Sequence, residues 1–288
     1  MTASTTTGTT TTGTTTPGTT PAPAPVRAVY RLTGRRVVRS EWAKFWSLRS
    51  SWITLGMAAV FLVGIGAIAA TVYSPSGPLG GADPQSGTAL TLALVGTNLA
   101  ALAVGALGVL LSAGEYGTGM VRSTFAAVPG RLPVLWSKCA VFGPIAFTVT
   151  TIGALVSFLI GSAVLHGQKI ALSLGDPGVV RCLLGAGLYL GLVGVFGVTV
   201  GMLVRNTAGG IAILAGVVLV LPGLTGLLPS SFGDTVSRYL PSNAGQSLMT
   251  LHTSSSSLVS PGAGLLALMA WAVVLLAGAA YRLRRSDV

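Results

Sequence analysis

An all-α polytopic membrane protein with six transmembrane helices is the fold the sequence predicts, and three observations predict it. Of the 288 residues, 51% are apolar and only 8% charged, where a soluble domain carries about a quarter charged. The mean hydropathy is +0.78. The apolar residues gather into six runs near the ~20 residues that cross a bilayer, and the bases cluster beside those runs. A net charge of +11 is therefore no sign of nucleic acid, whose partners interleave bases along a soluble face.

Residues 1–25 are almost wholly Thr, Gly, Pro, Ala and Ser, a composition that cannot bury a core. Residues 1–26 are expected to form a disordered cytoplasmic tail, and they lack the basic start and apolar centre of a signal peptide. From residue 27 to 51 the character changes, with Arg27, Arg31, Arg35, Arg36, Arg39, Lys44 and Arg49 in one short stretch. At 100° per residue, Val37, Val38, Trp42, Phe45, Trp46 and Leu48 share one side, and Arg36, Arg39, Ser40, Lys44 and Ser47 share the other. This predicts an amphipathic helix in the inner membrane interface, its Trp and Phe in the acyl boundary. Glu41 intrudes on the apolar arc, where it pairs either with Lys44 one turn on or with a partner chain.

The six-span domain covers residues 52–281, with spans at 52–73, 89–113, 139–165, 182–204, 207–228 and 264–281. Arg205-Asn206 divides the fourth from the fifth, because their combined length is about twice a span and a charge is costly at mid-membrane depth. Forty glycines favour close backbone approach between helices. Pro222-Gly223 should kink the fifth span. Asn98 in the second either bonds across helices or lines a substrate path. With the amino terminus inside, fourteen bases fall on the inner side, against Lys169, Arg181 and Arg238 outside. Both termini are therefore expected in the cytoplasm, with residues 282–288 as a basic tail. The outer connections carry Asp83, Asp176 and Asp234. The longest of them, residues 229–263, should form short helices at the outer interface.

The connection of residues 115–138, EYGTGMVRSTFAAVPGRLPVLWSK, is longer than reconnecting two spans requires. Thr118 to Val128 is long enough for about three helical turns, and Pro129-Gly130 stops it. Arg122, Arg131 and Lys138 make it positive. It is either a basic loop that fixes orientation and touches lipid head groups, or a contact surface for a cytoplasmic partner.

The spans hold no ionisable side chain at their middle, which argues against a self-powered ion-coupled transporter. No lysine closes a phosphate-cradling loop, so nucleotide hydrolysis would belong to another chain. His166 and His252, the only histidines, stand apart from any carboxylate cluster or nucleophile motif and read as exposed interfacial residues. Cys139 and Cys182 begin different spans, on opposite faces, so neither a disulfide nor a metal site is expected. The chain is not expected to be an enzyme, and no cofactor is expected on it.

Three stretches resemble the permease subunits of ABC-2 type ABC transporters, in particular the short, Gly- and Ala-rich ones of high-GC Gram-positive (actinobacterial) bacteria. They are RSEWAKFWSLRSSW (39–52), the 115–138 loop, and YLPSNAGQSL (239–248) before the last span. The likeness covers residues 27–285, and the Thr-rich head has no counterpart in it. The resemblance implies a six-span half-transporter in the cell membrane, paired with a second permease copy or paralogue and two ATPase chains that carry ATP and Mg. It also implies that the 115–138 loop holds a cytoplasmic coupling helix. Glu115, Gly117, Thr118, Gly119, Arg122 and Arg131 would then meet the ATPase, with Glu41 and Lys44 of the interfacial helix as a second contact. Export of a hydrophobic or amphipathic substrate, such as a drug, antibiotic, lipid or peptide, is the expected activity. The rival reading is a membrane anchor or assembly protein that recruits a cytoplasmic partner through the same loop and moves nothing.

Overall fold

The computed structural model describes Gly8 and residues 33–74, 88–128, 130–168, 170–225, 227, 230–251 and 258–285. The chain divides into two units, Met1–Arg31, represented by Gly8, and Leu32–Val288, which holds every element below. The 1–26 tail apart from Gly8, Arg27 and Arg31, Asp83, Pro129, Lys169, His252 and the side chain of Arg122 lie outside the described residues.

Every element among the described residues is helical. The amphipathic helix α1 (Gly34–Ser47) ends at Leu48, whose extended backbone starts a new helix. α2 (Arg49–Val72) is the first of six helices long and apolar enough to cross a membrane. The second is stepped, α3 (Thr88–Leu94) leading into α4 (Thr97–Gly117). The step falls at Gly96, where a Cβ would stand 2.4 Å from the carbonyl oxygen of Phe61. A short helix, α5 (Met120–Ala127), separates α4 from α6 (Leu132–Val164), and α7 (Val179–Val204) follows.

Arg205 leaves α7 in the left-handed region (φ 59°), and the Asn206 side chain caps α8 (Thr207–Ala215) by accepting from Gly209 N at 2.9 Å. That pair separates the fourth and fifth spans where the sequence places the break. The fifth span continues through a π-helical turn, Gly216–Val220, into α9 (Leu221–Thr225). Pro222 has no N–H to donate, and the widened turn directly before it is the distortion expected of Pro222-Gly223. The 229–263 segment does form two short helices, α10 (Ser230–Arg238) and α11 (Pro241–Met249). The last span, α12 (Pro261–Arg285), runs through Arg282, Arg284 and Arg285, and Arg285 lies 4.7 Å over the Tyr281 ring. These cations sit at the negative end of the helix dipole.

α7 is the central post. The apolar window of α7 is 78% buried, that of the fifth span only 17%, and α7 packs on α4, α6, α8, α11 and α12. Glycine makes the α4–α7 crossing close. A Cβ on Gly108 would stand 2.3 Å from Gly194 O, and one on Gly197 would stand 2.1 Å from Gly105 O. The backbones touch at this crossing, as small residues allow in membrane helix pairs.

One end of the bundle gathers the functional candidates other than Asn98, which lies in the first turn of α4. Val37 of α1, Val121 and Phe125 of α5, Val134 and Leu135 of α6, Met202 of α7 and Leu283 of α12 share one buried apolar cluster. A second cluster, with Ala70 of α2, Leu92 of α3 and Ile170 beyond α6, joins the far end.

Candidate functional site

The chain contains only two glutamates and three lysines, and four of these five residues meet at one point. Lys138 Nζ, on α6, donates to Glu41 Oε2 of α1 at 2.8 Å, to Glu115 Oε1 of α4 at 2.7 Å and to Leu111 O at 3.0 Å. Its three N–H groups are all used. Lys44 Nζ closes the ring, at 2.9 Å from Glu41 Oε1 and 3.0 Å from Glu115 Oε1. Side-chain exposure is 5% for Lys138, 6% for Glu41, 12% for Glu115 and 33% for Lys44. Two positive and two negative charges cancel, which is how charges are accommodated away from water.

The ring explains two departures from the sequence expectation. The second span runs on to Gly117 and the third starts at Leu132, because Glu115 and Lys138 are neutralised there and need not end a helix. Pro133 in the first turn of α6 suits that start. The ring also redirects α1. Val37, Glu41 and Phe45 form one buried stripe, and Phe45 packs against Trp52 (5.3 Å) and Phe142 (6.1 Å). Phe45 therefore faces the bundle and not the acyl boundary, while Trp42 and Trp46 stay exposed as expected.

The other predicted contact residues separate into those turned inward and those turned outward. Glu41 bonds to Lys44 one turn on, the internal alternative for that residue, and Glu115 is held within the chain as well. Thr118 closes α4 by donating to Gly114 O at 3.1 Å, so the short helix begins at Met120 and not at Thr118. Gly119 makes the turn with φ 74°, a left-handed conformation that glycine adopts freely. Gly117 is exposed, and a Cβ there would meet nothing within 4 Å. Arg131 lies 5.6 Å over the Phe125 ring. α5 buries Val121 and Phe125 and turns Met120, Ser123 and Ala126 outward. Asn98 is exposed on α4. Cys139 and Cys182 are free thiols.

Sequence reasoning treated Lys138 as part of a positive face and missed its place as the hub. The available signal was that the only glutamates stand beside bases on stretches assigned to one membrane side. Arg205 divides the fourth span from the fifth and also lies 5.3 Å over the Tyr116 ring, one residue from Glu115.

Burial alone would push the Glu41 carboxyl up, but Lys138 and then Lys44 outweigh it and hold it below the ordinary 4.5. Burial would pull Lys44 down, but Glu41 and then Glu115 hold it above the ordinary 10.5. The stability Glu41 contributes is present above its ordinary value and lost as pH falls through the lowered one. That of Lys44 is complete below its ordinary value and lost as pH rises through the raised one. The attachment of α1 is thus expected to be indifferent to pH between about 5 and 10. The Trp46–Trp52 pair, with ring centroids 4.3 Å apart, reports it. In a Trp136→Phe/Trp271→Phe background, emission should be flat across that window, and a transition near neutrality would contradict the ring's role.

Neither a scan against protein-family models nor a search of curated proteins finds a match for this chain.

Proposed function

We propose that the chain is the membrane-spanning permease subunit of an ATP-driven, ABC-2-like transporter, exporting a hydrophobic or amphipathic substrate. The motor is a separate pair of ATPase chains that bind ATP and Mg, and a second copy or paralogue of the permease completes the pathway. The observation that carries this reading is the mechanical continuity of the basic end. α5 stands between two spans with an outward Met120, Ser123, Ala126 face, and the ring ties α1, α4 and α6 together directly beside it. A displacement imposed on α5 is then passed to three helices at once, because rigid, closely packed elements move as bodies.

Contact with the ATPase is assigned to that outward face with Gly117 and Thr118, and Glu41 and Glu115 serve as the internal weld behind it. The basic end takes the cytoplasmic side of the cell membrane by the positive-inside rule, with both termini there. The substrate path is assigned to Asn98, which is exposed on α4. The Leu-, Ile- and Val-rich outer surface of the spans suits contact with lipid and with apolar cargo.

The test is co-purification with the ATPase and nucleotide-dependent flux in reconstituted vesicles. Ser123→Glu with Ala126→Glu changes two exposed positions and should leave the melting temperature nearly unchanged, within about 0.5 kcal/mol. ATPase association and flux should both fall at least about tenfold, or 1.4 kcal/mol. Association without flux in the unaltered protein would favour the anchor reading and remove transport.

A further inference from the structure

A cavity of about 410 Å³ opens between α1, the start of α2, the end of α4 and α6, within the size range of small-ligand sites. It has two chemically distinct ends. Leu107, Leu110, Leu111, Val141 and Phe142 make an apolar wall, and Lys44, Ser47, Ser50 and Ser51 gather at the other end. Ser51 is 1% exposed, and its Oγ has no hydrogen-bond partner. A buried hydroxyl left without a partner is costly. No side chain caps the first turn of α2; Leu48 N and Ser51 N are bonded to Lys44 O and Leu48 O, so the N–H groups of Arg49 and Ser50 remain to be given, at the positive end of the dipole. Lys44 spends two of its N–H groups on the ring and has a third to give.

The unspent groups at this end are thus donors, and they call for an acceptor-rich, anionic ligand. Glu41 and Glu115 also line the cavity, and the ring they form with Lys44 and Lys138 carries no net charge, so Lys44 meets a ligand as an N–H donor and the dipole of α2 favours the anion. The apolar wall calls for a hydrocarbon chain on the same ligand. Leu48, exposed, adjoins exposed Ser47 in the chain, and both line the cavity with exposed Ser50, the mixture of surfaces found where head groups meet acyl chains.

We propose that this cavity binds a phosphate-headed amphiphile from the adjoining leaflet, its chain along the Leu107–Leu111 wall and its phosphate held by Ser51, the first turn of α2 and Lys44. The site does not depend on the chain being a transporter, and a resident lipid and a cargo would use it alike.

The experiment uses the full chain in glycoside-detergent micelles and a diazirine-bearing alkyl phosphate as photoprobe, with labelled peptides mapped by mass spectrometry. Labelling should be saturable, should fall on the start of α2 and the end of α4, and should be suppressed by dodecyl phosphate. Dodecanol, which has the chain without the anion, and inorganic phosphate, which has the anion without the chain, should suppress it at least about tenfold less well. Ser51→Ala should weaken labelling about tenfold. Because it removes a hydroxyl that has no partner in the free protein, it should leave the ligand-free melting temperature the same or higher. Gly114→Leu fills the cavity from α4, where a Cβ meets nothing within 4 Å, and should abolish saturable labelling while the chain still folds. Suppression by inorganic phosphate equal to that by dodecyl phosphate would mean a free-anion site and overturn the proposal. Equal suppression by dodecanol, or unchanged labelling in both variants, would overturn it too.

Discussion

Gly197→Ala is expected to destabilise the folded protein severely in detergent, although it adds a single carbon. The added Cβ would stand 2.1 Å from Gly105 O, 3.0 Å from Gly105 C and 3.1 Å from Val109 N. All three are backbone atoms of α4, so no side chain can rotate away. Relief requires α4 and α7 to separate, and α7 is the helix on which α6, α11 and α12 also pack. Overpacking in a dense interior costs about 1–3 kcal/mol where side chains can adjust, and more where they cannot. A loss of about 3 kcal/mol or more is a large part of the ~5–15 kcal/mol that stabilises a domain. The same substitution at Gly64 in α2, where a Cβ meets nothing within 4 Å, should be neutral or slightly stabilising through helix propensity. Size-exclusion profiles and thermal melts of the two variants decide the matter. A well-folded Gly197→Ala protein with an unshifted melt would show that the α4–α7 contact is not tight.

Much of this architecture was legible in the sequence because hydropathy and helix length are nearly one-dimensional properties. Each of the six runs corresponds to a helix of spanning length. The Arg205-Asn206 break could be read as well, since a cation and a capping residue in series leave a long helix few alternatives. What could not be read was which charges would be neutralised by distant partners. Glu115 and Lys138 looked like the ends of spans because an isolated charge ends an apolar run. The structure places them inside helices, since Lys138 and Glu115 neutralise each other at 2.7 Å, and Glu41, 97 residues from Lys138 in the chain, and Lys44 complete the balance. The same long-range pairing turned Phe45 inward, which no periodicity on α1 alone reveals. The Met120, Ser123, Ala126 face was partly legible as a short helix, but its start was not. Thr118 and Gly119 are read equally well as the first turn of α5 or as the close of α4.

Lys138→Met should be the most damaging change at the basic end, and the size of its rescue measures the ring itself. Methionine fills much of the volume of lysine, so the variant leaves Glu41 and Glu115 sharing only Lys44, the most exposed member of the ring. Breaking a buried pair by removing one partner costs about 3–5 kcal/mol, because an uncompensated charge stays behind. Glu41→Gln alone should also destabilise, by leaving Lys138 with a single carboxylate. In the double variant one cation and one anion have been removed, and the Lys44–Glu115 pair is left neutral. Its loss should fall short of the sum of the singles by about 1–3 kcal/mol, the coupling expected of residues in one network. Thermal or chemical unfolding of the four proteins in one detergent gives the cycle. Additivity within about 0.5 kcal/mol would mean that the four side chains do not act as a unit. It would also remove the weld through which a push on α5 is proposed to reach α1, α4 and α6 together.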